Sequence, residues 1–159
     1  MSNPAVPSPS NGYHVDHARM LRRCYRELTG RILLPAVEDS VATARMLYET
    51  DLVVMSHNTA TDPVFNYANL AAQRLFEMPW DDYVRTPSRL SAEPVDRAER
   101  ARLMAAVAER GFIEDYHGVR ISRGGRRFRI EQATVWNLFD EAGNPAGQAA
   151  AFSHWVPLG

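Results

Sequence analysis

The C-terminal third of the chain constrains the fold most, because it consists of extended segments joined by very short turns. The extended segments cover residues 112–122, 126–139 and 146–155. Residues 123–125 (RGG) separate the first two segments, and residues 140–144 (DEAGN) separate the second two. Turns this short join antiparallel neighbours, since a parallel crossover needs a dozen or more residues. The sequence therefore predicts a three-stranded antiparallel meander.

A second extended region lies upstream and leads directly into a helix. LVVMSHN, residues 52–58, is rich in β-branched side chains, TATDP interrupts it, and VFNYA, residues 64–68, resumes the extended pattern. This arrangement predicts a hairpin. Asn69 is a good N-cap for the short helix that follows it, and Pro79 follows the predicted end of that helix.

Helices are predicted on both sides of this hairpin. Two amphipathic helices precede it, over residues 15–33 and from Pro35 onward. Their apolar stripes consist of Ala18, Leu21, Tyr25, Leu28 and Ile32, then Val37, Val41, Ala44 and Tyr48. Asp96 and Glu99 form a capping-box variant that opens a longer helix, and Gly111 ends it. The whole order predicts an α+β fold with a five-stranded antiparallel sheet, flanking helices and an N-terminal helical extension.

Composition narrows the function classes. The net charge of -1 argues against nucleic acid and an anionic membrane as partners. No apolar run reaches the roughly 20 residues of a membrane span, and no secretory signal is present. Cys24 is the single cysteine, which suits a reducing compartment, so we expect a cytoplasmic protein. All cationic residues except histidine are arginine, which excludes the lysine-dependent P-loop and pyridoxal chemistries.

We expect three regions along the chain. Residues 1–13 are rich in Pro, Ser and Asn, which predicts a disordered N-terminal tail. Residues 14–50 form the helical extension, and residues 51–156 form the domain that holds the sheet.

Two stretches of the sequence carry a family resemblance. The N-x-A-A-x-x-L-F pattern from Asn69 to Phe76 resembles the junction between the second strand and first helix of PAS domains. VVMSHNTATDPVFNYANLAAQRLFE together with RIEQATVWNL is similar to the MEKHLA family of the PAS-like superfamily, in particular to its small stand-alone bacterial members. The resemblance covers residues 34–155. It implies a PAS-like ligand-sensing or interaction domain, without a known ligand or reaction.

The resemblance also raises a flavin photoadduct and a haem bound through the long helix, and the residues argue against both. In flavin-binding PAS domains a cysteine forms a photoadduct, and Ser88 stands at the equivalent position here. Ile130, and Ala151 or Phe152, replace the polar residues expected to read the flavin. Haem-binding PAS domains use a histidine on the long helix, and residues 96–110 contain none. The cofactor is therefore left unknown, and no metal site is predicted because the histidines lack useful spacing.

Strand alternation suggests a candidate cavity. Along residues 126–139, the predicted inward face carries Phe128, Ile130, Gln132, Thr134, Trp136 and Leu138. Gln132 and Thr134 would form hydrogen bonds with a ligand. Alternatively, they would form hydrogen bonds with each other, with the backbone or with a buried water molecule. His57 would touch a ligand or would bond to the backbone or the adjacent turn. The full candidate set is His57, Phe65, Tyr67, Phe76, Phe128, Ile130, Gln132, Thr134 and Trp136.

Three functions remain open at this level. The first is a stand-alone sensory module that binds a small, mostly apolar ligand and signals through an unidentified effector protein or a homodimer interface. The apolar stripe over residues 15–33 motivates the homodimer. The second is a ligand-free protein–protein interaction module, whose bulky aromatic residues simply fill the interior. The third is a small enzyme acting through His57, Tyr67 or Asp62, although no catalytic residues are assigned.

Arginines form a further cluster around the first turn of the meander, at positions 120, 123, 126, 127 and 129. The cluster would bind an anion or an acidic partner, or would form a solvated edge that discourages strand-to-strand aggregation. We favour the solvated edge.

Overall fold

A single antiparallel sheet organises the computed structural model, which describes residues 4–36, 38–93 and 97–159. Within those ranges the sheet has six strands, and the α+β prediction is confirmed. The strands are β1 (Val53–His57), β2 (Phe65–Ala68), β3 (Phe112–Ile121), β4 (Arg127–Phe139), β5 (Pro145–Phe152) and β6 (His154–Leu158). Their spatial order is β2-β1-β5-β4-β3, and β6 also pairs with β4.

The prediction of five strands was wrong by one because the last predicted strand is broken at Ser153. β5 pairs with β4 at Thr134↔Ala151, and β6 pairs with β4 at Glu131↔His154. The two pairings continue in one register along the same side of β4. β5 and β6 thus lie end to end beside β4 and together form one long strand that is interrupted at Ser153.

Helices cover both faces of the sheet. Within the described ranges they are α1 (Val15–Thr29), α2 (Val41–Glu49), α3 (Leu70–Phe76), α4 (Trp80–Tyr83) and α5 (Arg97–Arg110). α1 ends at Gly30, whose left-handed φ of 75° places it at the usual glycine stop. None of the helices in this part of the chain is long and apolar enough to span a membrane.

The second predicted helix begins later than expected. Ser40, rather than the region of Pro35, is its N-cap, because the Ser40 hydroxyl accepts the backbone N–H of Thr43. Val37, which was predicted on its stripe, and Asp96, which was predicted to cap α5, lie outside the described residues.

α1 and α2 pack on one face of the sheet, which we call the α1 face. Trp136 at its centre donates its indole N–H to the Leu21 carbonyl at 3.2 Å and meets the Tyr25 ring edge-on at 4.9 Å. The outer core on this face includes Ala18, Leu21, Cys24, Tyr25, Ala44, Leu47, Tyr48, Val54, Tyr67, Trp136 and Leu138. The part of the apolar stripe that lies within α1 is therefore covered by its own chain and no longer argues for a homodimer. Ile32, the last residue of the predicted stripe, lies beyond α1 and is 58% exposed.

The opposite face, which we call the α5 face, carries α3, α5 and the loops between them. Phe76 from α3 meets Phe128 edge-on at 5.2 Å and Tyr83 edge-on at 6.0 Å. The inner core on this face consists of Val53, Met55, Phe65, Ala68, Ala72, Phe76, Met78, Tyr83, Phe128, Ile130, Ala133 and Phe152.

A backbone irregularity in β4 decides which side chains reach each face. Gln132 has a left-handed φ of 54°, and the pairing of β4 with β3 is irregular beside it, between Ile113 and Gly118. Phe128 and Ile130 face the inner core, whereas Trp136 belongs to the outer core. The prediction that residues 128–138 share one alternating face was therefore wrong beyond Ile130.

Asn69 joins three elements, as its predicted capping role requires. Its side-chain oxygen accepts the backbone N–H of Ala72 at 3.1 Å, which caps α3, and also that of Val54 at 3.1 Å on β1. Its amide nitrogen donates to the carbonyls of Leu47 and Leu52. The fully buried amide thus has partners on both ends, and the prediction of an N-cap is confirmed.

The N-terminal segment differs from the predicted disordered tail. Residues 9–14 form a 3-10 helix, and His14 lies edge-on to Trp80 at 5.2 Å. The buried Trp80 indole N–H donates to the carbonyl of Pro4 at 2.9 Å. A buried indole needs such an acceptor, and the proline-rich segment supplies it. The segment therefore contacts Trp80 of α4 through Pro4 and His14, and its 3-10 helix packs against α2.

Candidate functional site

A small cavity of about 60 Å³ lies on the α5 face, between α5 and the middle of the sheet. A cavity needs roughly 10–15 Å³ of such volume to hold one water molecule, so this cavity has room for a few non-hydrogen atoms. Its apolar wall comes from Met55, Phe65, Leu103, Met104, Val135 and Ala150, and its polar wall includes His57, Ser91, Arg100, Arg120 and Gln148. The wall of the cavity is therefore mainly apolar and includes two guanidinium groups.

The backbone approaches closely beside this cavity. Gly147 on β5 has a φ of 130°, and a Cβ at this position would come within 2.0 Å of the carbonyl oxygen of His57. Only glycine permits that approach between β5 and β1. Gly147 thereby brings the end of β1, with His57, against Gln148.

His57 presents a neutral imidazole to the cavity. Its Nδ1 lies 2.9 Å from the carbonyl oxygen of Asn58, so Nδ1–H donates and Nε2 carries the lone pair. Burial lowers the pKa of His57, and the nearby charge of Arg100 lowers it further, against the opposing effect of the Asn58 bond. The imidazole is thus a hydrogen-bond acceptor at neutral pH.

Arg100 enters the cavity from the first turns of α5. Its Nη2 donates to the hydroxyl of the fully buried Ser88 at 2.6 Å. Burial and the charge of Arg120 lower the pKa of Arg100 to about 10, so the guanidinium remains charged at neutral pH. α5 therefore places a positive charge in the wall of the cavity.

Arg120 supplies the second guanidinium, from β3. It is only 8% exposed, and its Nη1 donates to the carbonyl of Val119 at 2.9 Å. Its Nη2 donates to the Tyr116 hydroxyl at 3.3 Å, and its Cζ lies 5.6 Å from the centre of that ring. The side chain of Tyr116 folds across Gly118, where a Cβ would come within 2.2 Å of the hydroxyl.

The structure separates the residues predicted to line one cavity. His57 and Phe65 border the cavity on the α5 face. Phe76, Phe128 and Ile130 lie on the same face but are packed together in the inner core. These three belong to the interior of the fold and do not line the cavity.

The other predicted site residues lie elsewhere. Tyr67 and Trp136 belong to the outer core on the α1 face, and Thr134 shares the side of Trp136 along β4. Gln132 is exposed, because its left-handed backbone turns the side chain away from both cores. Tyr67 is buried against His17, and its hydroxyl has no hydrogen-bond partner within the described residues.

Sequence reasoning missed Arg100 and assigned Arg120 to a solvated edge. One signal was available: Arg100, Leu103 and Val107 are spaced by three and four, so Arg100 falls on the apolar stripe of α5. A charged residue on such a stripe is directed toward the interior. Arg120 has no comparable local signal, because its burial depends on Tyr116 and α5 closing over β3.

The cavity between α5 and the sheet does not fit a flavin. A flavin ring system needs a pocket of at least roughly 300 Å³, about five times this cavity. Ile130 and Phe152 fill the inner core, and the Ser88 hydroxyl is bonded to Arg100. Over residues 4–36, 38–93 and 97–159, no three His, Cys, Asp or Glu side chains converge as metal ligands would.

The three residues considered for catalysis do not come together. Tyr67 belongs to the outer core, whereas His57 borders the cavity on the α5 face. Asp62 is exposed and forms an ion pair with Arg89 at 3.1 Å.

Comparison with solved structures identifies the fold. The PAS domain of a protein from Colwellia psychrerythraea superposes with a TM-score of 0.61 at 13% identity, covering 69% of this chain and 91% of that chain. An RNA-binding light-oxygen-voltage receptor gives 0.59 at 17% identity, covering 70% of this chain and 31% of the receptor. A light-oxygen-voltage domain studied with a flavin analogue gives 0.58 at 13% identity, covering 74% of this chain and 85% of that chain.

These similarities establish a PAS-like fold and nothing finer. No curated protein sequence matches the chain significantly. The model of the MEKHLA domain matches residues 15–157, which is most of the chain. The chain therefore belongs to the MEKHLA domain family.

Proposed function

We propose that the chain is a sensory module that binds a small molecule in the cavity between α5 and the sheet. The main support is that a cavity with an apolar wall and a few convergent polar groups lies under α5, which is weakly anchored. Similarity to PAS and light-oxygen-voltage structures supports a sensory role, because one of those proteins is a light-oxygen-voltage receptor.

α5 is the element that would respond to a ligand. Of its described residues, 97–110, Val107 is buried and the others are partly or fully exposed. Much of its attachment is polar: Asn137 donates to the Val107 carbonyl at 2.9 Å, and Gln148 donates to the Met104 carbonyl at 3.3 Å. An element held by few apolar contacts opens at low free-energy cost, so ligand contacts would shift its position.

The output would pass through another surface or protein. A homodimer and an effector protein both remain predictions. Because the α1 stripe is buried, a partner would need other apolar residues. Trp155 and Val156 on β6 are 38% and 39% exposed, which favours this strand as a contact surface. The same observation favours the second candidate function, a ligand-free interaction module.

Thermal unfolding in the presence of small molecules tests ligand binding. The full chain would be titrated with fractions of cell extract and with a fragment set of neutral and charged compounds. A ligand at 100 times its Kd should stabilise the fold by about 2.7 kcal/mol. Ala150→Leu should fill the cavity and abolish that shift, because Ala150 borders it.

Ala105→Leu is the matched control, since it makes the same change on the exposed side of α5. This variant should retain the ligand-induced shift. Absence of any stabilisation across all fractions and fragments would contradict ligand sensing and favour the interaction module. An equal shift in wild type and Ala150→Leu would place the binding site outside the cavity and contradict the proposal as well.

A further inference from the structure

Two positively charged side chains line the same small cavity. Arg100 reaches it from α5 and Arg120 from β3, and they lie close enough for the charge of Arg120 to lower the pKa of Arg100. His57 borders the cavity as well. Burying two like charges side by side is unfavourable, since each loses hydration and repels the other.

The partners of these two guanidinium groups are neutral. Arg100 donates to the Ser88 hydroxyl, and Arg120 donates to a backbone carbonyl and to the Tyr116 phenol. Among residues 4–36, 38–93 and 97–159, neither arginine forms a salt bridge with a carboxylate.

Acidic side chains of the described residues pair with other arginines. Asp62, whose charge acts on Arg100, forms an ion pair with Arg89. Glu93 forms an ion pair with Arg127 at the far end of β4. Several other arginines show the usual arrangement, such as Arg22 with Asp39 at 2.6 Å. Arg100 and Arg120 differ because they border a cavity and pair with no carboxylate of residues 4–36, 38–93 and 97–159.

We propose that the cavity binds a small aliphatic carboxylate, held at its carboxyl group by Arg100 and Arg120. The short apolar part of this ligand would lie against Leu103, Met104 and Val135. The inference rests on the proposed sensory function and names its ligand class. The ligand is then polar at one end, whereas the sequence predicted a mostly apolar one.

The shape and chemistry of the cavity favour a carboxylate over other anions. Guanidinium groups bind the two oxygens of a carboxylate in a planar, two-pronged geometry. A phosphate or sulfate carries additional oxygens beyond the two of a carboxylate, and the apolar wall of the cavity would not compensate their lost hydration. The volume of about 60 Å³ limits the ligand to a few non-hydrogen atoms.

A titration of the full chain with acetate, propionate and butyrate tests the proposal. Binding would be followed by NMR, through the Nε–H signals of Arg100 and Arg120 and the backbone signals of α5. We expect saturable shifts with at least one carboxylate, and none with the uncharged isostere propionamide. Arg100→Gln and Arg120→Gln should each weaken carboxylate binding about tenfold or more, because each removes a charged hydrogen bond.

Arg102→Gln is the matched control. Arg102 lies on the same helix, but it is exposed and bonded to Glu99. This variant should bind the carboxylate as wild type does. Unchanged affinity in both Arg100→Gln and Arg120→Gln would overturn the proposal, and thermal unfolding would confirm that the variants remain folded.

The other outcomes separate this inference from the proposed function. If propionamide or neutral fragments bind in the cavity as tightly as propionate, the sensory proposal stands and the carboxylate is wrong. If inorganic phosphate binds more tightly than every carboxylate, through the same two arginines, the ligand class is wrong. If no compound binds, both proposals fail.

Discussion

At the scale of single residues, His17 is a titratable group on the α1 face whose pKa is strongly altered by folding. Its Nε2 donates to the Ser56 hydroxyl at 2.9 Å, because Ser56 uses its own proton to bond Asn66. Its ring stacks on Tyr67 at 5.3 Å. Burial lowers the pKa of His17 to about 4, and the neighbouring His14 contributes to the lowering.

This environment makes the fold less stable in mild acid. The unfolded chain takes up a proton at His17 near the ordinary histidine pKa of 6.5, whereas the folded chain resists it down to about 4. The contribution is fully present above the unfolded pKa and is lost as the pH falls through that interval, by up to about 3 kcal/mol. Urea unfolding at a series of pH values should therefore show that the free energy of unfolding depends less on pH in His17→Phe than in the wild type.

His154→Phe is the control, because His154 is exposed. It should keep the wild-type dependence on pH. Some dependence of the unfolding free energy on pH should remain in His17→Phe, because burial also lowers the pKa of His57. If the unfolding free energy of His17→Phe depended on pH as strongly as that of the wild type, His17 would not be the source of the loss of stability in mild acid.

At the scale of elements, the strand interiors were predicted well until a backbone irregularity intervened. Asn69 and the short meander turns carry local signals, and the structure agrees with both. Alternation holds at Phe128 and Ile130. It fails at Gln132, because a left-handed residue transfers every later side chain to the other face. Neither Gln132 nor its neighbours include the glycine or asparagine that usually marks such a position.

The candidate site was predictable to a similar extent. His57 and Phe65 follow from the ends of a recognisable hairpin, and both border the cavity. The set drawn from β4 failed because it assumed an uninterrupted period of two. The burial of Arg120 depends on Tyr116 of the same strand and on α5 packing beside β3, and the position of α5 is not contained in any local pattern.

A glycine substitution tests the irregularity in β4. Gln132→Gly should leave the unfolding free energy unchanged or raise it, because relief of a left-handed backbone, about 1–2 kcal/mol, offsets the entropy of glycine. Arg129→Gly, at a regular exposed position of the same strand, should lower it by about 1 kcal/mol. Urea denaturation compares the two. Equal destabilisation by both changes would show that residue 132 has ordinary strand geometry.

At the scale of the whole molecule, the sheet is shared by two cores. Neighbouring residues of β1 divide between them: Val53 belongs to the inner core and Val54 to the outer core. β4 is divided in the same way, with Ile130 inward and Trp136 outward. Neither core can lose its packing without exposing the strands that support the other, so we expect both cores to unfold together.

Leu21→Ala in the outer core and Phe76→Ala in the inner core test this coupling. Both side chains are fully buried, so each change should cost about 2–5 kcal/mol. Each variant should still give one transition, at the same urea concentration by tryptophan fluorescence and by far-ultraviolet circular dichroism. Leu90→Ala is the control for Leu21→Ala, because it makes the same substitution at an exposed position. It should lower the unfolding free energy by less than about 0.5 kcal/mol. A separate early transition in Leu21→Ala would instead mean that α1 and α2 unfold independently of the sheet.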